Sequence, residues 1–130
     1  MSQRLGAVAL LVHDYAEAVQ WFTDKLGFRL VEDTSLGGAK RWVTVAPAGS
    51  QGCGLVLAKA DGARQRALVG GQGGGRVWLF LETDDFAREH EGMLARGIHF
   101  RESPRHEAYG NVAVFEDLYG NGWDLIQKNV

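Results

Sequence analysis

Cysteine is nearly absent from this 130-residue chain, proline is rare, and long apolar runs are missing. Cys53 is the single cysteine, so no internal disulfide can form, which indicates a reducing compartment. The apolar segment at residues 7–12 is too short to span a bilayer, and no signal-peptide cleavage pattern accompanies it. The sequence therefore predicts a cytoplasmic protein that does not enter a membrane.

An excess of basic residues is also missing. Lys and Arg number 14 against 16 Asp and Glu, the net charge is −2, and no basic stripe stands out. Because nucleic acids are bound through such basic surfaces, no nucleic-acid partner is expected. What the chain does have is 45% hydrophobic residues, enough for one domain with a core of its own.

One pattern occurs twice along the chain, seventy positions apart. Each copy has a strand, then a helix that a glycine ends, then further strands. The matching pairs are Asp14 and Asp84, Gly27 and Gly97, Leu30 and Phe100, and Glu32 and Glu102. Each aspartate is the predicted N-cap of its helix, because its carboxylate can accept from amides of the first turn. We interpret the chain as two duplicated modules, about 1–69 and 76–130, joined by a flexible glycine-rich connector, 70–75.

Each module is predicted to have the order β-α-β-β-β. The predicted strands are 5–12, 28–33, 40–46 and 53–59 in the first module, and 76–82, 98–102, 111–116 and 122–128 in the second. One helix would cover one face of each sheet, which is an α+β arrangement. We expect a single domain, residues 1–130, in which the two modules form a curved sheet around a cavity.

Two segments carry a family resemblance. The run from Val112 to Ile126 resembles the ending F-x-D-P-D-G-N-x-x-E-L of the vicinal oxygen chelate superfamily. The opening, from Val12-His13-Asp14 to Leu26-Gly27-Phe28, is similar to that family's first strand–helix segment. The family includes glyoxalases, bleomycin-resistance proteins and extradiol dioxygenases. The resemblance implies the fold but not the activity, because this scaffold hosts unrelated chemistries.

The resemblance also implies where metal-dependent members carry their ligands. Ala7, Leu57 and Trp78 stand at three of these positions, and Asp124 replaces the last-strand glutamate. A slip of one residue at Leu57 would bring in another apolar side chain. One carboxylate alone does not hold a transition ion in water. We therefore predict no family metal site and no other cofactor.

Strand alternation predicts which side chains face the cavity. The expected lining is mostly apolar with a few charged groups, as in many small-molecule pockets. Its members are Ala7, Ala9, Leu11, Leu55, Leu57, Lys59, Trp78, Phe80, Glu82, Asp124 and Ile126. His106 is a further candidate for a ligand contact or an acid/base group, because its loop, 103–110, could fold over the cavity mouth.

These residues also have structural interpretations. Trp78 and Phe80 could fill the core and close the cavity. Asp124 could form a buried ion pair with Lys59 or Arg41. Trp123, on the face opposite Asp124, is expected to pack under a helix.

The leading functional hypothesis is a protein that binds a small organic molecule without a metal, similar in logic to the drug-sequestering bleomycin-resistance proteins. The alternative is an enzyme, a lyase, isomerase or dioxygenase relative, with Asp124 or Glu82 as general base or with a metal held elsewhere. A third hypothesis is an interaction domain whose cavity its own side chains fill. The resemblance further implies a homodimer, because a second copy would cover exposed sheet faces and edges.

Overall fold

A computed structural model describes residues 1–129, which fall into two compact units, Met1–Val69 and a second that begins at Gly70. The first contains β1 (Ala7–Val12), α1 (Tyr15–Asp24), β2 (Phe28–Ser35), β3 (Arg41–Pro47), β4 (Gly54–Lys59) and α2 (Gly62–Leu68). The second contains β5 (Val77–Glu82), α3 (Phe86–Ala95), β6 (Arg105–Glu107), β7 (Gly110–Glu116) and β8 (Gly122–Lys128). None of the helices in this part of the chain is long and apolar enough to cross a membrane.

Each unit contains one four-stranded mixed sheet, and the two sheets have equivalent strand orders. The first is ordered β1-β4-β3-β2 and the second β5-β8-β7-β6. In both, the first strand runs parallel to the last, and the other neighbours are antiparallel. The predicted α+β class and the duplicated modules are confirmed.

The core of the first unit lies between its sheet and α1. The carboxylate of Asp14 accepts a hydrogen bond from the backbone N–H of Glu17 at 3.0 Å, so the predicted cap is present. Gly27 then ends the helix region with a φ of 76°, which a residue with a side chain rarely adopts. Phe22 of α1 is fully buried, and its ring lies 5.5 Å from the ring of Phe28. α1 therefore covers the sheet face that carries Phe28.

A row of rings forms the core of the second unit. His90 of α3 lies 4.5 Å from Phe100, Phe100 lies 5.7 Å from Phe115, and Phe115 lies 5.6 Å from Trp123, measured between ring centroids. The indole N–H of Trp123 also donates to the buried carboxylate of Asp117 at 3.0 Å. Trp123 therefore packs on the α3 side of the sheet, as predicted.

The structure corrects three details of the predicted elements. The N-cap of α3 is Asp85, which accepts from the N–H of Arg88 at 3.2 Å, and not Asp84. The predicted strand 98–102 is reduced to one bridge between Phe100 and Phe115, and Pro104, which has no N–H to donate, separates it from β6. Helix α2 was missed because it buries none of its residues and so has no apolar stripe.

The glycine-rich segment 70–75 folds against its own unit. The backbone N–H of Gln72 donates to the side-chain oxygen of Asn121 at 3.3 Å, and Asn121 is buried. At Gly70, with a φ of 83°, a side chain would collide with the carbonyl oxygen of Tyr119. These contacts hold the segment against the turn between β7 and β8.

Candidate functional site

The face of the second sheet opposite α3 carries an exposed aromatic ring beside a carboxylate. Strand register pairs Phe80 of β5 with Asp124 of β8, and pairs Asp124 with Val114 of β7. Residues paired in this way share a face, so all three lie on one side of the sheet, and Trp123 and Phe115 lie on the other. We call this the helix-free face of the second sheet; its residues are Phe80, Glu82, Arg105, Val112, Val114, Asp124 and Ile126.

Asp124 holds an acceptor atom that is not satisfied. Its Oδ1 is buried and has no hydrogen-bond partner within residues 1–129. Burial raises the pKa of Asp124 above its ordinary value, Arg105 opposes that rise in pKa, and Glu102 adds to it. Because buried polar atoms in folded proteins are nearly always hydrogen-bonded, this oxygen is an exception among the described residues.

Arg105 and Glu102 form a fixed charged cluster near Asp124. The Nε of Arg105 donates to Glu102 at 2.9 Å, and its Nη1 donates to Glu107 at 2.9 Å. The second oxygen of Glu102 accepts from the backbone N–H of Val114 at 2.9 Å. The hydrogen bond from Arg105 is the main reason that the pKa of Glu102 is lowered. The cluster therefore presents a guanidinium held in place from two sides.

Sequence reasoning missed both members of this cluster. It used Glu102 only as a matching position of the repeat, and it assigned 103–110 to a loop, so strand alternation was not applied to Arg105. The structure places β6 at Arg105–Glu107, and the pairing of Arg105 with Val112 puts Arg105 on the helix-free face. Extending the strand pattern through Arg105 would have found it.

Phe80 is 65% exposed, so the alternative in which it fills the core is wrong. Trp78 is half-buried, next to an irregularity in strand pairing between Val77 and Leu79. The backbone of Gly73 lies against Trp78, since a Cβ on Gly73 would be 3.0 Å from the Trp78 Cβ. A single exposed apolar side chain is ordinary on a protein surface, so the ring of Phe80 points to a binding face only together with the groups beside it.

Two other predicted residues, Glu82 and His106, have side-chain partners of their own. Glu82 forms a 2.8 Å ion pair with Lys128, and both side chains are exposed. The Nδ1 of His106 lies 2.6 Å from the side-chain oxygen of Asn111, and register pairs these two residues. That pairing puts His106 on the sheet face opposite Arg105 and Asp124, which removes it from the set around Asp124.

The predicted facing of β4 is wrong by one residue. Leu57 pairs with Leu10, and both are fully buried on the face that α1 covers. The helix-free face of the first sheet instead carries Ala7, Ala9, Leu11, Trp42, Thr44, Val56 and Ala58. The prediction placed Leu57 by the family motif across the loop before β4, and a slip of one residue there reverses the facing of every side chain in the strand. Lys59 pairs with Val12 at the strand end and is exposed.

The helix-free face of the first sheet has a recess of about 580 Å³. Ala7, Trp42 and Thr44 line its sheet side, and Arg29 and Glu32 of β2 line its rim. Arg41, one of the two cations considered as partners of Asp124, donates to Asp33 instead, at 2.8 and 2.6 Å.

The residues present do not fit the metal of the metal-dependent relatives. Ala7, Leu57 and Trp78 offer no ligand atoms of the required kind, nor do Val56 and Ala58 beside Leu57, and Asp124 offers only a carboxylate. Within residues 1–129 no group of three or more His, Cys, Asp or Glu side chains could hold a metal ion.

Comparisons with known proteins agree with this architecture. Residues 4–125 match the family model described as "Glyoxalase/Bleomycin resistance protein/Dioxygenase superfamily". An uncharacterized protein of Shewanella frigidimarina is 51% identical over 130 residues, covering 99% of this chain and 96% of the relative. The uncharacterized protein YetH of Bacillus subtilis is 28% identical over 121 residues, covering 93% of this chain and 95% of the relative.

Two solved structures are similar over nearly their whole lengths. The crystal structure of UcmS2 has a TM-score of 0.84 and 29% identity, with 97% of this chain and 98% of that chain covered. The structure of TnmS3, described as an antibiotic binding protein from Streptomyces sp. CB03234, has a TM-score of 0.80 and 26% identity, with 98% of each chain covered. The chain belongs to the glyoxalase/bleomycin resistance protein/dioxygenase superfamily.

Proposed function

We propose that the protein binds a small organic molecule, without a metal, on the helix-free face of its second sheet. The observation that carries the proposal is the buried, unpartnered Oδ1 of Asp124 beside the exposed ring of Phe80. The similarity to TnmS3, an antibiotic binding protein, supports a ligand of this class. Trp78 and Glu82 of the second unit remain proposed contacts in the wider lining.

The chemistry of the face defines the kind of ligand. Phe80 offers an apolar ring for stacking, so a planar aromatic molecule fits best. Asp124 accepts hydrogen bonds and donates none while ionised, so the ligand must bring a hydroxyl, amide or amine donor. An unsatisfied buried acceptor costs about 1–3 kcal/mol, and a ligand donor would recover part of that free energy. The guanidinium of Arg105 offers donors to a carbonyl on the same molecule.

The test is calorimetric titration with a panel of planar aromatic antibiotics that carry such donors, beginning with an anthracycline. For the tightest ligand, Asp124→Asn should weaken binding about tenfold or more, because a hydrogen bond to a charged group contributes about 1.5–3 kcal/mol. Phe80→Ala should weaken it as well, whereas Glu91→Gln, which removes an exposed carboxylate from α3, should leave it unchanged. Equal affinities for all four proteins would overturn the proposal.

The raised pKa of Asp124 favours one alternative, an enzyme in which this carboxyl acts as general base. Glu82 suits that role less well, since it is exposed and paired with Lys128. The two functions differ in what happens to the ligand. Mass spectrometry of the ligand after long incubation should return it unchanged if the protein is a binder, and a product that forms with wild type but not with Asp124→Asn would establish the enzyme.

Two further properties belong to the same proposal. The family resemblance supports a homodimer, because a second copy would cover exposed sheet faces and edges. Sedimentation equilibrium at micromolar concentration tests this, and the mass of a single chain would rule it out. The scarcity of cysteine supports a cytoplasmic location.

A further inference from the structure

We propose a second binding site, in the first unit, for a planar aromatic anion held between the indole of Trp42 and the ammonium groups of Lys40 and Lys59. It rests on residues other than those of the second sheet, so it stands or falls independently of the function proposed above.

The site is a recess of about 560 Å³ where β3 begins and β4 ends. The pairing of Thr44 with Val56 puts Trp42 on the same face as Val56 and Ala58, next to the recess floor. Trp42 is 41% exposed, although a ring of this size is usually well covered. Leu36 and Ala39 add apolar wall. The recess therefore offers one exposed aromatic surface over a small apolar floor.

The charges around this recess favour an anion. Its titratable residues are Tyr15, Lys40, Arg41, Lys59 and Asp61. Asp33 pairs with Arg41 at 2.6 Å, and that ion pair leaves the guanidinium charge balanced. Within residues 1–129, neither Lys40 nor Lys59 has an ion-pair partner. Two ammonium groups against the single carboxylate of Asp61 leave one positive charge in excess.

Hydrogen bonds in the walls fix the shape of the recess without a ligand. The backbone N–H of Leu36 donates to the carbonyl of Lys40 at 2.9 Å, and the N–H of Lys40 returns to the carbonyl of Gly37 at 3.2 Å. On the other wall the side-chain oxygen of Gln65 accepts from the N–H of Asp61 at 2.8 Å. A site ordered in advance loses less entropy when a ligand binds.

Two dyes that share one aromatic skeleton test the charge requirement. 8-Anilinonaphthalene-1-sulfonate carries a sulfonate, and N-phenyl-1-naphthylamine does not. By calorimetry we expect the sulfonate dye to bind one site per chain more tightly than the neutral dye. Lys59→Gln and Lys40→Gln should each weaken it about threefold, as a partly exposed charge contact allows. Asp61→Asn should strengthen it, and Trp42→Ala should weaken it at least fivefold.

Lys25→Gln supplies the matched control. Lys25 caps the far end of α1, about 15 Å along the helix from Tyr15, and does not line the recess. The substitution Lys25→Gln removes the same charge from the same unit and should leave the affinity for the sulfonate dye unchanged. Thermal melting of each variant checks that the fold is retained. Equal affinity for the two dyes, equal weakening by Lys25→Gln and Lys59→Gln, or no effect of Trp42→Ala in a folded variant would overturn the proposal.

Discussion

At the scale of single residues, Asp124 and Glu102 illustrate how two neighbouring carboxyls acquire opposite properties. Burial raises the pKa of Asp124, whereas the hydrogen bond from Arg105 lowers the pKa of Glu102. Ionising Asp124 therefore costs free energy in the folded protein, whereas the ionised form of Glu102 is stabilised there. Only Asp124 was predicted from sequence, because it stands at a family position. Arg105 required the location of β6, and the role of Glu102 required its contacts with Arg105 and Val114.

The first prediction is that Asp124→Asn raises the melting temperature at pH 7. Because the folded pKa of Asp124 lies above its ordinary value of 3.8, the folded protein binds that proton more tightly than the unfolded chain. Stability therefore falls as pH rises from 3.8 through the folded pKa, and the substitution removes this penalty. The gain should shrink as the pH is lowered toward 3.8 in a series of calorimetric melts.

Glu102→Gln provides the control with the opposite sign. The pKa of Glu102 lies below its ordinary value of 4.5, so its charge contributes stability above pH 4.5 that is lost as pH falls through the folded pKa. This variant should melt below wild type at pH 7. If Asp124→Asn also melts below wild type at pH 7, the carboxylate of Asp124 has a stabilising partner, and the description of its Oδ1 as unsatisfied is wrong.

At the scale of elements, the facing of strands determines which substitutions are costly. The second prediction compares Leu57→Ala with Leu11→Ala, the same chemical change on opposite faces of the first sheet. Leu57 is fully buried, so its truncation should lower the free energy of unfolding by about 3–5 kcal/mol. Leu11 is only half-buried, and its truncation should cost less than half as much. Urea denaturation measures both losses of unfolding free energy. Equal losses would indicate that Leu57 lies on the helix-free face of the first sheet, as the sequence analysis predicted.

The third prediction concerns the cap of α3. Asp85→Ala should destabilise the protein by about 1 kcal/mol, because it removes the acceptor for the N–H of Arg88. Asp84→Ala is the matched control, since the contact that Asp84 supplies is its backbone carbonyl, which accepts from Gln127 at 3.0 Å. Chemical denaturation should show almost no loss for the control. A larger loss of stability for Asp84→Ala than for Asp85→Ala would indicate that Asp84 is the N-cap, as the repeat predicted.

These elements show how far sequence reasoning could reach. The two helices that cover the sheets were predictable because Asp14, Gly27 and Gly97 mark their ends and an apolar stripe runs between. The facing of β4 was not predictable, because the length of the loop before Gly54 does not fix the register of the strand. A shift of one residue moves every side chain of the strand to the opposite face. Helix α2, with no buried residue, left no periodic signal.

At the scale of the whole molecule, duplication was the most informative pattern. The two units have equivalent strand orders, although only a few residues match between them. That the units form a single domain stays a prediction. The function was less predictable, since the fold specifies where a site lies and the individual side chains specify its chemistry.

The fourth prediction is that the protein retains no stoichiometric metal. The family resemblance assigns Ala7, Leu57 and Trp78 to three of the ligand positions, so a transition ion would gain little over its hydration. After incubation with Ni²⁺, Zn²⁺ and Fe²⁺ and extensive dialysis, elemental analysis should find well under one ion per chain. One retained ion per chain that Asp124→Ala releases would show that a metal site exists.

The most direct test of ligand binding on the helix-free face of the second sheet is methyl NMR with the tightest ligand of the antibiotic panel. Adjacent residues of β7 and β8 report on opposite faces of the sheet. Binding should shift the methyl resonances of Val114 and Ile126, which share a face with Asp124. It should leave Ala113 and Leu125, on the α3 side, almost unchanged. Shifts confined to Ala113 and Leu125, or no shift at saturating ligand, would contradict the proposed function.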